Sequence, residues 1–245
     1  MAVTPEGAAL TRDYVRGQLA LTKSVITDIQ AVWPMLDPKA LDASFPRYFT
    51  SARAIVLDAR HSMESLTSRY YTAFRAAEGA TGLEPLVELA QLEAERLLTA
   101  LVVTGPSAVK TAVRDGVDLD RAMRFGFTAQ AGAASRLALD AGRDRLDRSV
   151  RADDAALGWH RVTSGKACYF CAMLASRGAV YKTARSAGRD HRYHDHCACT
   201  QEPMFSRKSA MTPEAERYRA LWDQSTQGKS GAEAVNAFRL ALESQ

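Results

Sequence analysis

All four cysteines of this 245-residue chain, and three of its five histidines, fall in residues 166–200, KACYFCAMLASRGAVYKTARSAGRDHRYHDHCACT. They are Cys168, Cys171, Cys197 and Cys199, with His191, His194 and His196. Thiols and imidazoles are ligands for soft or borderline cations. Zinc takes four of them in a tetrahedron, usually as two close pairs brought together by the fold. Cys168-x-x-Cys171 is one such pair. The second must come from HDHCAC, where His194 with Cys197 and His196 with Cys199 share one spacing, and Cys197 with Cys199 would share one face of a strand. The spacing supports a site without choosing its ligands. Structural zinc is the leading expectation, because a loop-rich segment of this length has little core of its own and metal binding would supply its folding energy.

Other chemistries fit less well. The cysteines can be free thiols or disulfides in a loosely packed corner. A redox Cys-x-x-Cys wants a preceding strand in a thioredoxin-like sheet, whereas residues 1–150 read as helices. A catalytic zinc keeps an open position beside a general base; Asp195 and Glu202 are the nearest acids in sequence, but thiolate-rich sites are usually closed. YHDHC also suggests an HNH-type nuclease, with one histidine activating water and another residue binding a divalent metal. Such nucleases with structural zinc place a second Cys pair beyond the histidines, and here the cysteines end at Cys199 with no later histidine. GKS at 228–230 lacks the upstream glycine of a phosphate-binding loop, position 223 being Asp.

The elements that must carry the cluster are mainly α. Thr4 before Pro5 is an N-cap signal for a first helix that ends before Pro34. LDPKALDASFPRYF reads as a broken entry into a helix over about 47–78, and EPLVELAQLEAERLLTALVV as a third helix stopped by Gly105-Pro106. A short helix near 106–115 and a long one near 119–149 follow. The long one carries Ala129, Ala131, Gly132, Ala133, Ala134 and Ser135, small side chains that let helix axes approach closely, so tight bundle packing is expected there. From 157, LGWHRVTSG alternates Trp159, Arg161 and Thr163 against His160, Val162 and Ser164, the period of a strand, and CACTQEPMF can close as its partner. Thr212 with Pro213 and Ser230 with Glu233 then mark two tail helices, the second by a capping-box pattern. The expected architecture is an elongated helical body (1–156), a small α+β Cys/His zinc-knob-like domain (157–206) and a helical C-terminal tail (207–245).

Charge is uneven. Residues 151–208 hold 10 Lys and Arg against 5 Asp and Glu, while residues 1–150 hold 18 of each. A bias of this size permits contact with phosphates or an acidic protein, and commonly is just a solvated face. Arg177, Arg185, Arg189 and Arg192 beside Tyr181 and Tyr193 fall under the same reading. No apolar run approaches the roughly 18 residues that span a bilayer. The first residues offer no signal-peptide core, so a reducing cytoplasm is the expected compartment and metal is favoured over disulfides.

GPSAVKTAV, AGAASRLALDAGRD, GWHRVTSGKACYFCAMLASRGAVY and YHDHCACTQEPMF, in that order over about residues 105–205, resemble the MuF-like minor head proteins of tailed phages, in the form found in phages of actinobacteria. The motif of that family ends in His-x-x-Cys-x-Cys, which here falls on His194, Cys197 and Cys199. The resemblance therefore implies Cys168, Cys171, His194 and Cys197 as ligands, with Cys199 as alternate. It also implies a low-copy, non-enzymatic component on the portal side of the head, meeting the portal, the major capsid or scaffold proteins, or the packaged DNA. Its location would be the virion interior, after assembly in the host cytoplasm.

Overall fold

The computed structural model describes residues 1–88, 91–163, 167–178 and 193–245. The body is built on three long helices, α1 (Pro5–Val32), α2 (Leu41–Ala77) and α5 (Leu119–Ala152), with α3 (Ala94–Val102) and α4 (Ala108–Arg114) between the last two. Their starts follow from side-chain caps. Thr4 Oγ1 accepts from Gly7 N at 3.0 Å ahead of Pro5, and Asp118 Oδ1 accepts from Arg121 N at 2.9 Å; each satisfies a first-turn N–H that has no partner inside the helix.

Two boundaries and one cap differ from the sequence expectation. Helix α2 begins at Leu41, and Pro46 sits within it. A proline this close to the start removes one ladder bond only, and Ser44 Oγ donates to Ala40 O at 2.8 Å to steady the turn. The third helix is confined to Ala94–Val102, with residues 83–88 and 91–93 non-helical. Arg75 Nη2 donates to Thr81 O at 2.7 Å, Thr72 Oγ1 donates to Glu84 at 2.8 Å, and Leu92 packs on the bundle core. These tertiary contacts override the helix propensity of the segment. Ser230 precedes the last helix but makes no side-chain cap bond. The entry is set instead by Gly231, at φ 55°.

The small residues of α5 serve bundle packing. A Cβ on Gly142 would lie 2.4 Å from Thr67 Oγ1 and 2.7 Å from Met63 Cε, and one on Gly126 would lie 2.5 Å from Val109 Cγ2. Around this close approach the core has two parts. One gathers Val25, Ile29, Tyr48, Val56, Leu97, Leu101 and Leu137; the other gathers Tyr14, Met63, Tyr71, Phe74, Leu146, Val150 and Trp159.

Trp159 belongs to β1 (Gly158–Val162), which pairs antiparallel with β2 (Thr200–Met204) in the register Gly158↔Met204 to Val162↔Thr200. The period of two is present, and both faces of the pair are covered. On one face His160 Nε2 lies 3.0 Å from Glu202 Oε1, while Thr11 Oγ1 of α1 donates to Glu202 Oε2 at 2.6 Å. On the other, Trp159 Nε1 donates to Asp147 Oδ1 of α5 at 3.1 Å. The strands are thus wedged into the helical body. The chain leaving them carries α6 (Tyr169–Ala175), which shares a separate core of Ala172, Met173, Ala215, Tyr218 and Phe238 with the tail helices α7 (Pro213–Ser225) and α8 (Gly231–Glu243). Among the described residues no helix is long and apolar enough to cross a membrane.

The turn from α5 into β1 is held by Asp153, 3% exposed, which accepts from Arg75 Nε at 2.8 Å, Tyr71 Oη at 2.8 Å and Ala155 N at 3.0 Å. Burial would raise its pKa, but the guanidinium, the phenol and the N–H outweigh burial and hold the carboxyl below the usual carboxylate range. Its stabilising effect is therefore complete above the unfolded value of about 4 and is lost as pH falls through the lower folded value. Asp153→Ala strands a buried guanidinium and is expected to cost about 3 kcal/mol at neutral pH. Urea unfolding should show the loss at pH 7, and the gap to wild type should narrow in acid. A gap independent of pH would refute the role given to the ionised carboxylate.

Candidate metal centre

Cys168 is the residue before α6, in extended conformation, and its sulfur accepts from Cys171 N at 3.4 Å. A three-residue step across the first helical turn brings both sulfurs to the same end of α6. The opposing arm is the irregular stretch 193–199. Here Cys197 N donates to His194 O at 3.1 Å, and His196 adopts φ 63°, a left-handed conformation uncommon for a residue with a side chain. That turn lays the His196 ring on α5 where Gly132 leaves room: a Cβ at 132 would be 2.4 Å from His196 Nε2.

The arms meet at sulfur. Cys168 Sγ is 2.8 Å from His194 Nε2, and Cys171 Sγ is 3.4 Å from Cys197 Sγ. The donors form two triads, Cys168–Cys171–His194 and Cys171–Cys197–Cys199, each with its ligand atoms within 4.8 Å of one another. Cys171 is common to both. Cys171, Cys197 and Cys199 are buried and His194 is exposed, so the cluster has a buried and an open side. All four cysteines are free thiols.

The donor set suits a thiophilic metal. Sulfurs bound to one tetrahedral zinc at ~2.3 Å lie roughly 3.8 Å apart, and the observed spacings need only small adjustments to reach that. His194 Nδ1 lies 2.6 Å from Asp195 O. A carbonyl only accepts, so Nδ1 carries the hydrogen and orients the ring, the arrangement commonly found behind a ligating Nε2. The thiols share protons unequally. Cys171 is pushed up by its hydrogen bonds to Cys168, Cys197 and Cys199. Cys168 is pulled down to about 5, chiefly by its hydrogen bond with Cys171, with burial opposing and His194 assisting. Cys197 is pulled down by Cys171 and Cys199, with the nearby Arg143 charge adding to the effect.

The donor-bearing stretch is tied to the body through its backbone and through Tyr193 and Asp195. Arg143 of α5, 1% exposed, donates through Nη2 to Cys197 O at 2.7 Å and Cys199 O at 3.1 Å, while Nη1 pairs with Asp140 at 3.2 Å. The Tyr193 ring is sandwiched between Arg143, 3.6 Å from its centroid, and Arg161 of β1, at 4.0 Å. Arg136 Nε donates to Asp195 Oδ1 at 2.6 Å. Sequence reasoning missed Arg136, Asp140 and Arg143. A signal was present: they follow Gly132 at steps of four, four and three, which puts all four on one stripe of α5.

Of the residues singled out from sequence, the structure brings Cys168, Cys171, His194, Cys197 and Cys199 together. It does not bring His194, Asp195 and His196 to a common point: they face Cys168, Arg136 and Gly132 respectively. Glu202 points across the sheet to His160 and Thr11. Arg177 is exposed. His191, Tyr181, Arg185, Arg189 and Arg192 lie outside the described residues.

Fold and site together define a helical-bundle protein that carries a Cys/His clasp between two buried strands. A family model described as VG15 protein matches residues 7–225, and the chain belongs to that family, which makes it a phage protein. No curated protein and no solved structure matches it.

The seating of His196 on Gly132 is testable by paired substitution. Gly132→Ala should displace the exposed His196 ring from α5 and lower stability by no more than about 1 kcal/mol, the better helix propensity of Ala offsetting part of the loss. His196→Ala in the same chain should restore most of the loss. Denaturant midpoints of the two singles and the double measure this, and additive losses would refute the contact.

Proposed function

We propose that this phage protein is a minor capsid component of the MuF-like kind, acting without enzymatic activity in head morphogenesis on the portal side of the head. Its Cys/His centre holds a structural zinc, drawn from Cys168, Cys171, His194, Cys197 and Cys199. Its partners are the portal protein and the major capsid or scaffold proteins, with non-specific contact to packaged DNA through the basic segment. It sits inside the virion after assembly in the host cytoplasm. The order of motifs over residues 105–205 and membership of a phage family support the head assignment.

One observation carries the structural role of the metal. Along residues 193–199, metal donors alternate with groups that grip α5: Tyr193, Asp195 and His196 hold the body, while His194, Cys197 and Cys199 face α6 or one another. A metal joining the two arms would close the excursion between β1 and β2 and fix it to the bundle in one step. The same alternation works against nuclease chemistry, because it points His194, Asp195 and His196 to separate partners.

Mass spectrometry of intact virions, combined with metal analysis of the isolated chain, tests the proposal. The expected result is a low-copy virion protein with one zinc per chain, whose 193–199 amides lose exchange protection on chelation while those of α2 do not. Absence from virions would remove the head assignment. A metal-free chain that folds unchanged after Cys168→Ser with Cys197→Ser would remove the zinc. Magnesium-dependent DNA cleavage abolished by His196→Ala would replace this reading with the nuclease.

A further inference from the structure

Arg161 is the buried cation that the fold leaves most dependent on the thiols. It is 2% exposed, its Nη1 donates to Cys171 Sγ at 3.9 Å, and its Nε has no hydrogen-bond partner among the described residues. The other guanidinium at the cluster, Arg143, has Asp140 at 3.2 Å. Arg161 has no carboxylate among the described residues. Its cross-strand neighbours offer none on the same side, since Gln201 is opposite it and Glu202 points to the other face, toward His160. A guanidinium cannot shed its proton at any ordinary pH, so burying it without a counter-charge is strongly unfavourable. The face of Tyr193, 4.0 Å away, gives a cation–π contact but no formal charge, and neutral thiols add none. Thiolates around a divalent ion supply it: three of them with an imidazole leave one negative charge on the centre, and four leave two.

We infer that Arg161 is a positioning and charge-compensating donor to the metal-bound sulfur of Cys171, and that the centre is net anionic with at least three thiolates. The inference rests on the metal-centre reading above and deepens it by naming the residue that compensates the charge of the centre. A thiolate-rich centre takes a thiophilic divalent cation such as zinc and discriminates against magnesium and calcium, which prefer oxygen. The donor is also on the sulfur that both triads share. Its effect is therefore the same whether Cys197 or Cys199 completes the tetrahedron.

The test uses the full chain, cobalt(II) as spectroscopic probe, and the variants Arg161→Gln and Arg161→Lys. Wild type should bind one cobalt with a thiolate-to-metal charge-transfer band of the strength given by three or more thiolates. Arg161→Gln should weaken zinc, measured by chelator competition, about tenfold or more, and should move the band to lower energy, since a hydrogen bond and a nearby positive charge both stabilise the sulfur lone pairs. Arg161→Lys keeps the charge but not the fork, so it should hold stoichiometric metal with a smaller shift of the band. A cobalt-loaded wild type with an unchanged Gln variant overturns the role of Arg161 and leaves the metal centre standing. A wild type that takes up no cobalt or zinc overturns both. Where the Gln variant does not fold, the Lys variant decides alone, and an unmoved band there overturns the inference.

Discussion

The contact on which the rest of this molecule depends is the buried guanidinium of Arg143 against the backbone of the cysteine loop. At 1% exposure the guanidinium spends its Nη2 on the carbonyls of Cys197 and Cys199, while its Nε has no hydrogen-bond partner among the described residues. Asp140 supplies the counter-charge one turn earlier on the same helix, and the face of Tyr193 covers the plane. Those two carbonyls belong to an irregular segment with no ladder of its own. Arg143 substitutes for a missing strand partner there. It delivers the sulfurs to one place, which lowers the ordering entropy that a bound ion would have to overcome.

That arrangement makes helix, strand pair and thiol cluster mutually conditional. Trp159 and Asp153 set β1 against the body, β1 carries Arg161 to Cys171, and β2 begins at the residue after Cys199. The tail contributes from the opposite side, because α7 and α8 share a core with the helix that bears Cys171. The bundle therefore does more than carry an appended loop. It supplies one wall of the cluster through α5, and the tail stabilises the other through α6.

Much of the body was legible in the sequence because its signals are local. Thr4-Pro5 and Thr212-Pro213 are caps followed by a proline at its favoured first-turn position, and the alternation through Trp159 to Val162 has the period of a strand. The third helix was over-extended because Arg75, Thr72 and the core around Leu92 are distant in sequence, and propensity alone cannot register them. The residues that come together in the cluster were likewise legible by type and spacing. Their surroundings were not: an arginine is ordinarily a surface residue, and nothing near Arg143 or Arg161 in the chain announces a partner more than fifty residues away in one case and a sulfur in the other. The left-handed turn at His196 is legible only together with Gly132, since each is permissive on account of the other.

The register of the two strands has a mechanical consequence. Val162 and Thr200 are partners at the end from which the cysteine segment departs and returns, and Gly158 and Met204 are partners at the far end. A force drawn through that segment therefore loads the ladder from one end, opening its hydrogen bonds in succession like a zipper instead of straining them together in shear. Resistance at that point comes from whatever crosses between the arms above it, at Cys168 with His194 and Cys171 with Cys197. Under tension the sulfur cluster is the element that yields first or holds, and the sheet beneath it follows.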